Sequence, residues 1–270
     1  MRTEIKISIQ PQPDDESCGP TCLHAVYSHF GKKSLSLEQV AKQIARLDSG
    51  GTLAEILACH ALEAGFNATI YTWHLQMFDP TWFAEDGGAH DREDLAERLE
   101  QQLRAKRTDR RLRIATQACR RFLELGGQLR MCDLTAALLR KYLHRGIPII
   151  AGLSSTYLYQ GSREMTSAAI DDDVHGVPQG HFVMLTGYDT EAREVLVADP
   201  LDPNPPFHTA KYRLGIDRLL NAILLGIVTY DANLLIIEPK EVEVNPPKPA
   251  SAKIPHTAGR GPTRKKSPIA

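Results

Sequence analysis

Three residues have the types and surroundings for nucleophilic chemistry: Cys18, His181 and Asp199. Cys18 stands in DDESCGPTCLHAVYSHFG, Asp14 to Gly31, where Gly19 and Pro20 open a helix. Proline suits a first helical turn because its missing N–H would have had no intrahelical partner and its φ is already helical. Cys18 therefore sits where unpaired backbone N–H groups and the positive end of the helix dipole converge, a setting that favours the nucleophilic thiolate over the thiol. Asp14, Asp15 and Glu16 just upstream act in the opposite direction. A cysteine kept for packing belongs mid-helix, as Cys22 does one turn later.

A thiol nucleophile needs a base, a group that orients the base, and donors for the oxyanion. The stretch GHFVMLTGYDTEAREVLVADP reads as a β-hairpin turning near Thr190 to Glu194, so antiparallel pairing sets His181 across from the neighbourhood of Asp199. Asp189 is the rival orienter, but eight extended residues at ~3.3 Å each put it roughly 26 Å from His181, in the turn. A carboxylate beside an imidazole fixes its tautomer and stabilises its charged form. The Cys18 backbone N–H supplies one oxyanion donor, and a side-chain amide from the preceding loop a second. Gln10 and Gln12 are both within reach by sequence, and the residues alone prefer neither.

Several elements must hold these residues in place. KISIQ alternates as a strand and ends in the Pro-broken loop QPQPDDES. After the Cys18 helix, capping-box patterns at Ser36/Gln39 and Thr52/Glu55 predict helices over about 37–47 and 53–64, followed by a strand in FNATIYTW. Residues 74–127 read as an insertion: a loop with Trp82 and Phe83, then one or two strongly charged helices with solvated faces. Asp133 is expected to cap a helix closed by Gly146, before the doubly buried strand IPIIAGL. SSTYLYQGSREMTSAAIDDDVHGVPQ has no clear period and reads as a long loop. A helix near Asp217 to Leu225 and one or two strands in GIVTYDANLLIIEP complete a domain spanning 1–239. Residues 240–270, rich in Pro, Lys and Arg, read as a disordered basic tail.

The 270 residues, 42% of them hydrophobic, suffice for one sizeable core. A formal net charge of −1 gives no electrostatic case for nucleic acid or a membrane surface, and neither a signal-type N-terminus nor a membrane-spanning run is found. The expectation is a cytoplasmic protein. The five cysteines are odd in number and read as reduced thiols. Cys18, Cys22, His24 and His29 lack the familiar zinc spacings, so neither metal nor cofactor is expected.

Gln12 six residues before a Cys-Gly that opens a helix, a late Gly-His strand and a strand ending in Asp-Pro together resemble the papain-like cysteine peptidases. Within them, the chain is most similar to the bacteriocin-processing, double-glycine leader peptidases and their stand-alone bacterial relatives. The resemblance implies an α+β fold, with the Cys helix in an N-terminal helical lobe packed on an antiparallel sheet that carries His and Asp. It implies Gln12 for the oxyanion, Cys18 as nucleophile, His181 as base and Asp199 as orienter. Here Ser17 stands where the family commonly has Asp before the Cys, the insertion is long for the group, and no transporter domain follows.

The activity implied is hydrolysis of a peptide or small amide through a thioester. The same thioester could serve an acyltransferase or transpeptidase, and the fold could persist as a non-catalytic binding module. Stand-alone relatives resemble proteins found near ATP-dependent peptide ligases, which implies a functional link of that kind. Expected walls for a substrate are Ser154 to Gln160, with Tyr157 and Tyr159 as flat contacts, and the region around Asp171 to Gln179, just before His181, with Gly180 beside it.

Overall fold

A computed structural model describes residues 2–32, 34–47, 50–106, 109–165 and 170–240. In chain order the elements are β1 (Arg2–Glu4), α1 (Cys18–His29), α2 (Leu37–Gln43), α3 (Ala54–Glu63), β2 (Phe66–Thr72), α4 (Arg92–Ala105), α5 (Arg110–Glu124), β3 (Gln128–Arg130) and α6 (Ala136–Leu143). There follow β4 (Ile149–Ser154), α7 (Ser155–Tyr159), β5 (Glu164–Met165), β6 (Ile170–Asp171), β7 (Gly180–Asp189), β8 (Glu194–Ala198), β9 (Lys211–Gly215), α8 (Ile216–Leu225) and β10 (Asn233–Pro239). The architecture is α+β, built on one sheet in the order β3-β2-β10-β4-β7-β8-β9, with β1 added to β7. All its pairings are antiparallel except β2 with β3. The described residues lie within one unit, Met1–Lys240; the expected basic tail lies outside the described residues, apart from Lys240 itself.

The centre of the sheet follows from composition. Every residue of β4 is buried, and β10 and β7 flank it on either edge, which is why IIAGLS shows no alternation. Burying Ile149, Ile150 and Leu153 stabilises the fold by roughly 1.5–3 kcal/mol each. The β7–β8 hairpin turns at the predicted place, with Asp189 opposite Glu194 and a register shift between Leu185 and Gly187.

The insertion contains two α-helices; α5 packs on α3 and α4 packs on α5. In α5, Leu112, Ala115, Cys119, Phe122 and Leu123 recur at helical spacing on the buried face, while its arginines point outward. Glu100 of α4 meets Arg120 of α5 at 2.7 Å, and Arg121 reaches Glu63 of α3 at 3.0 Å.

Some local expectations are corrected. Ser36 and Gln39 do form a capping box, yet α2 ends at Gln43. Thr52 and Glu55 do not: Thr52 donates to the Ala45 carbonyl, Leu53 is the N-cap, and Glu55 turns inward. Thr135, not Asp133, caps α6. The strand is β1, ahead of KISIQ, and Ile5 between them still bonds the Thr186 carbonyl through its N–H at 2.7 Å. The long polar loop contains α7, because Ser154 caps a turn whose Leu158 is fully buried, and the short antiparallel pair β5 and β6.

Candidate active site

Cys18 is the first residue of α1 and is 8% exposed. Its N-cap, Ser17, makes no capping hydrogen bond; the Ser17 hydroxyl donates instead to Asp14 at 2.6 Å. The first-turn N–H groups are thus left facing the surroundings of the thiol. The absence of a side chain at Gly19 lets α1 approach closely, since a Cβ there would lie 3.0 Å from Leu57 and Thr52 and 3.2 Å from Phe182. One turn on, the Cys22 thiol donates to the Phe182 carbonyl at 3.4 Å, fixing α1 against β7 one residue from His181.

The acidic run before Cys18 is partly offset by a residue the sequence did not single out. Arg46 binds Asp14 at 2.8 Å and Glu16 at 3.1 Å. Burial works against the Asp14 carboxylate, but hydrogen bonds from Ser17 and Arg46 and the Arg46 charge outweigh it and hold its pKa low. Two of the three upstream carboxylates are therefore spent on a cation.

His181 and Asp199 meet as the hairpin predicts, with His181 Nε2 2.8 Å from Asp199 Oδ1. Oδ1 also accepts the Leu201 N–H at 3.0 Å. Oδ2 accepts two phenols, Tyr159 at 2.8 Å and Tyr212 at 2.7 Å. Asp199 is fully buried, and its own N–H bonds the Ala210 carbonyl at 2.8 Å. Burial alone would raise its pKa; the His181 charge and the Tyr212 and Tyr159 hydrogen bonds reverse this and lower it. The Cys18 side chain is a further neighbour of His181, close enough to favour the charged form of its ring. Burial disfavours the imidazolium, but Asp199 and Cys18 overcome it, and the His181 pKa is raised well above its ordinary value near 6.5. Burial pushes the thiols of Cys22, Cys59, Cys119 and Cys132 up, so these four stay protonated.

Gln12 is placed from the Asp199 side: its backbone N–H bonds the Pro200 carbonyl at 2.8 Å, and its buried Oε1 has no hydrogen-bond partner. Tyr159 is not an exposed loop residue. It is half-buried at the end of α7, its ring centroid 6.0 Å from that of His181. Tyr157 is half-buried in the same helix. Gly180 is exposed, and a Cβ there would run into the carboxylate of Asp231. Tyr212, Arg46 and Asp231 had no sequence signal, because each acts through a partner that only the fold brings near. Among the described residues there is no cluster of three His, Cys, Asp or Glu side chains able to hold a metal.

Residues 126–214, which include both His181 and Asp199, match the family model described as the Peptidase_C39 like family. Over that stretch the chain resembles the C39-like peptidases, and the helix that begins at Cys18 packs on β7 of the antiparallel sheet. Among solved structures it is similar to a C39-like peptidase described as putative from Bacillus anthracis, at 12% identity and TM-score 0.48, covering 89% of this chain and 98% of that one. It is also similar to xylellain, a cysteine protease from Xylella fastidiosa, at 13% identity and TM-score 0.43, covering 88% and 86%. A double glycine motif protease from an AMS/PCAT transporter, in complex with the leader peptide, matches at 13% identity and TM-score 0.42, covering 88% and 95%. No curated protein matches the sequence. No helix among the described residues is long and apolar enough to cross a membrane.

Proposed function

We propose that the protein is a cysteine peptidase or amidase in which Cys18 is the nucleophile, His181 the base and acid, Asp199 the orienter and Gln12 an oxyanion donor. The observation that carries this reading is Cys18 at an uncapped helix N-terminus, beside an imidazole whose far nitrogen is held by a buried carboxylate. In the proposed reaction His181 takes the thiol proton and Sγ bonds to the carbonyl carbon. The developing oxyanion is met by the Cys18 N–H and the Gln12 amide. The C–N bond breaks as His181 returns the proton to the leaving amine, leaving a thioester. Water then attacks with His181 as base, releasing the acid and the free thiol.

Alkylation with iodoacetamide, followed by peptide mass mapping, tests the nucleophile. Cys18 is expected to react at least about tenfold faster than Cys59 or Cys132 near neutral pH, because the thiolate is the reacting form. Equal rates would remove the basis of the proposal. Cys18→Ala should abolish turnover of a peptide library while leaving the thermal transition in place. The same thioester can be resolved by an amine, which would make the protein an acyltransferase. Product masses with and without added amine acceptors separate the two.

A further inference from the structure

A small cavity lies between the start of α3, the end of β2 and the start of β10, on the side of the sheet that carries α3. Glu55, Thr72, His74 and Asn233 bring polar groups to it, and Tyr230 closes one side. Asn233 and His74 are each 4% exposed, and the Asn233 Oδ1 and both His74 ring nitrogens have no hydrogen-bond partner. Thr72 Oγ1 is already taken up by the His74 backbone N–H at 3.3 Å. Glu55 is 7% exposed. Buried polar groups are ordinarily satisfied, and leaving one unmet costs about 1–3 kcal/mol. Three in one cavity, in a domain whose other buried polar groups are mostly paired, mark a built site.

The donor set defines the ligand chemistry. Burial lowers the His74 pKa and keeps the ring neutral, so it offers one acceptor nitrogen. Together with the Asn233 amide oxygen and the Glu55 carboxyl, that gives three acceptors, one of them able to carry negative charge. An anion is disfavoured by the carboxyl. A guanidinium is planar and needs a wider, forked set of acceptors. A primary ammonium is compact, positive and carries three N–H donors.

Asp231, flanked in the chain by the lining residues Tyr230 and Ala232, joins the rim of the cavity to the strand that carries His181. The Asp231 carboxyl packs against Gly180, the residue before His181, and it feels the charges of Arg111, His181 and Glu55, in that order. Burial pushes Glu55 and Asp231 up to about 7 each, so both are poised to ionise when a cation arrives. Tyr230 holds the boundary with its backbone in the left-handed region at φ 68°, its ring 4.3 Å from that of His74 and 5.3 Å from the Arg111 guanidinium.

We infer that this cavity is a substrate subsite for a primary ammonium group, received by Glu55, Asn233 and His74 with Asp231 between it and the reacting bond. The inference rests on the peptidase reading and adds a substrate class to it: peptides or amides bearing a lysine side chain or a free amino terminus near the cleaved bond.

The test uses the full chain and N-acylated peptidyl acyloxymethyl ketones with lysine or norleucine at each position, with labelling of Cys18 followed by intact mass. A second set of norleucine probes carries a free amino terminus. Lysine at one position, or the free terminus, should label at least about tenfold faster than its uncharged counterpart, the scale of a hydrogen bond to a charged group. Which set gains identifies the source of the ammonium. In Glu55→Gln the preference should fall below about threefold, while the iodoacetamide rate at Cys18 stays at the wild-type value. In the wild type, n-butylammonium chloride should erode the preference where equal sodium chloride does not. Equal labelling of charged and uncharged probes, or a preference that survives Glu55→Gln, overturns the subsite and leaves the peptidase reading standing. Failure of Cys18 to react with iodoacetamide or any probe overturns both.

Discussion

Two buried histidines of this protein, His181 and His74, are pushed toward opposite charge states. They are 6% and 4% exposed, so desolvation works against the imidazolium in both. His181 has Asp199 at 2.8 Å and Cys18 on its other side, and its pKa rises. His74 has no hydrogen-bond partner on either ring nitrogen, and its pKa falls. Burial therefore sets only the size of the stakes; the partner decides the sign. One environment stabilises a buried charge pair, the other a neutral acceptor.

Removing the paired imidazole should have the largest effect. His181→Ala is expected to lower kcat/KM by about 10³-fold or more, within the span of a lost general acid–base, measured on whichever peptide the library screen selects. Asp199→Asn tests the partner itself. It keeps the shape but removes the charge that raises His181, so kcat/KM should begin to fall at a lower pH on the alkaline side, where the imidazolium that protonates the leaving amine is lost, by at least about one unit. Turnover should drop by about 10²-fold. An unmoved alkaline limb would mean that Asp199 does not govern His181.

The unpaired imidazole should show itself in stability. The folded-state pKa of His74 is depressed, so below its unfolded value the unfolded chain binds more protons, and stability is lost as pH falls through the window between the two. His74→Phe removes that proton uptake and two unmet nitrogens. Thermal melts should show a smaller loss between pH 7 and pH 5 than in the wild type, and a stability at pH 7 equal to or higher than the wild type by about 1 kcal/mol. A steeper loss on acidification in the variant would contradict this assignment of the pH dependence.

The pairing half of this comparison was legible in the sequence, and the unpaired half was not. Hairpin geometry and the turn residues after Asp189 were enough to bring His181 to Asp199, because strand register is a local and periodic property. Cys18 was visible because Gly-Pro marks a helix start. Arg46 on Asp14 and Glu16, and Tyr159 and Tyr212 on Asp199, join elements far apart in the chain, and an arginine or tyrosine carries no mark of the partner it will meet. Thr52 and Glu55 show the converse. Their spacing fits a capping box, but the contact of α3 with the rest of the domain turned Glu55 inward and gave Thr52 to the Ala45 carbonyl. A local signal lost to tertiary packing, and the displaced carboxyl became part of the cavity.

The smallest expected effect comes from loosening Asp199 without discharging it. Tyr212 is held by stacking on Phe207, with ring centroids 3.7 Å apart and planes 9° from parallel, so its hydroxyl is positioned before it donates. Tyr212→Phe keeps the stack and removes one hydrogen bond to a buried carboxylate, a loss of about 1.5–3 kcal/mol. Asp199 has a depressed folded-state pKa, so its contribution to stability is present above the unfolded pKa and is lost as pH falls through the folded one. Without the Tyr212 donor that folded pKa moves back up, and the acid loss of stability should begin at higher pH than in the wild type. The melting temperature at pH 7 should drop by several degrees, while Cys18 alkylation changes by less than about threefold, because His181 keeps its carboxylate. Tyr159→Phe should behave alike in the melt, and its additional place beside the His181 ring makes it the more sensitive of the two in the alkylation profile. A variant that left the acid limb where it is would show that Leu201 and His181 alone suffice to hold the charge on Asp199.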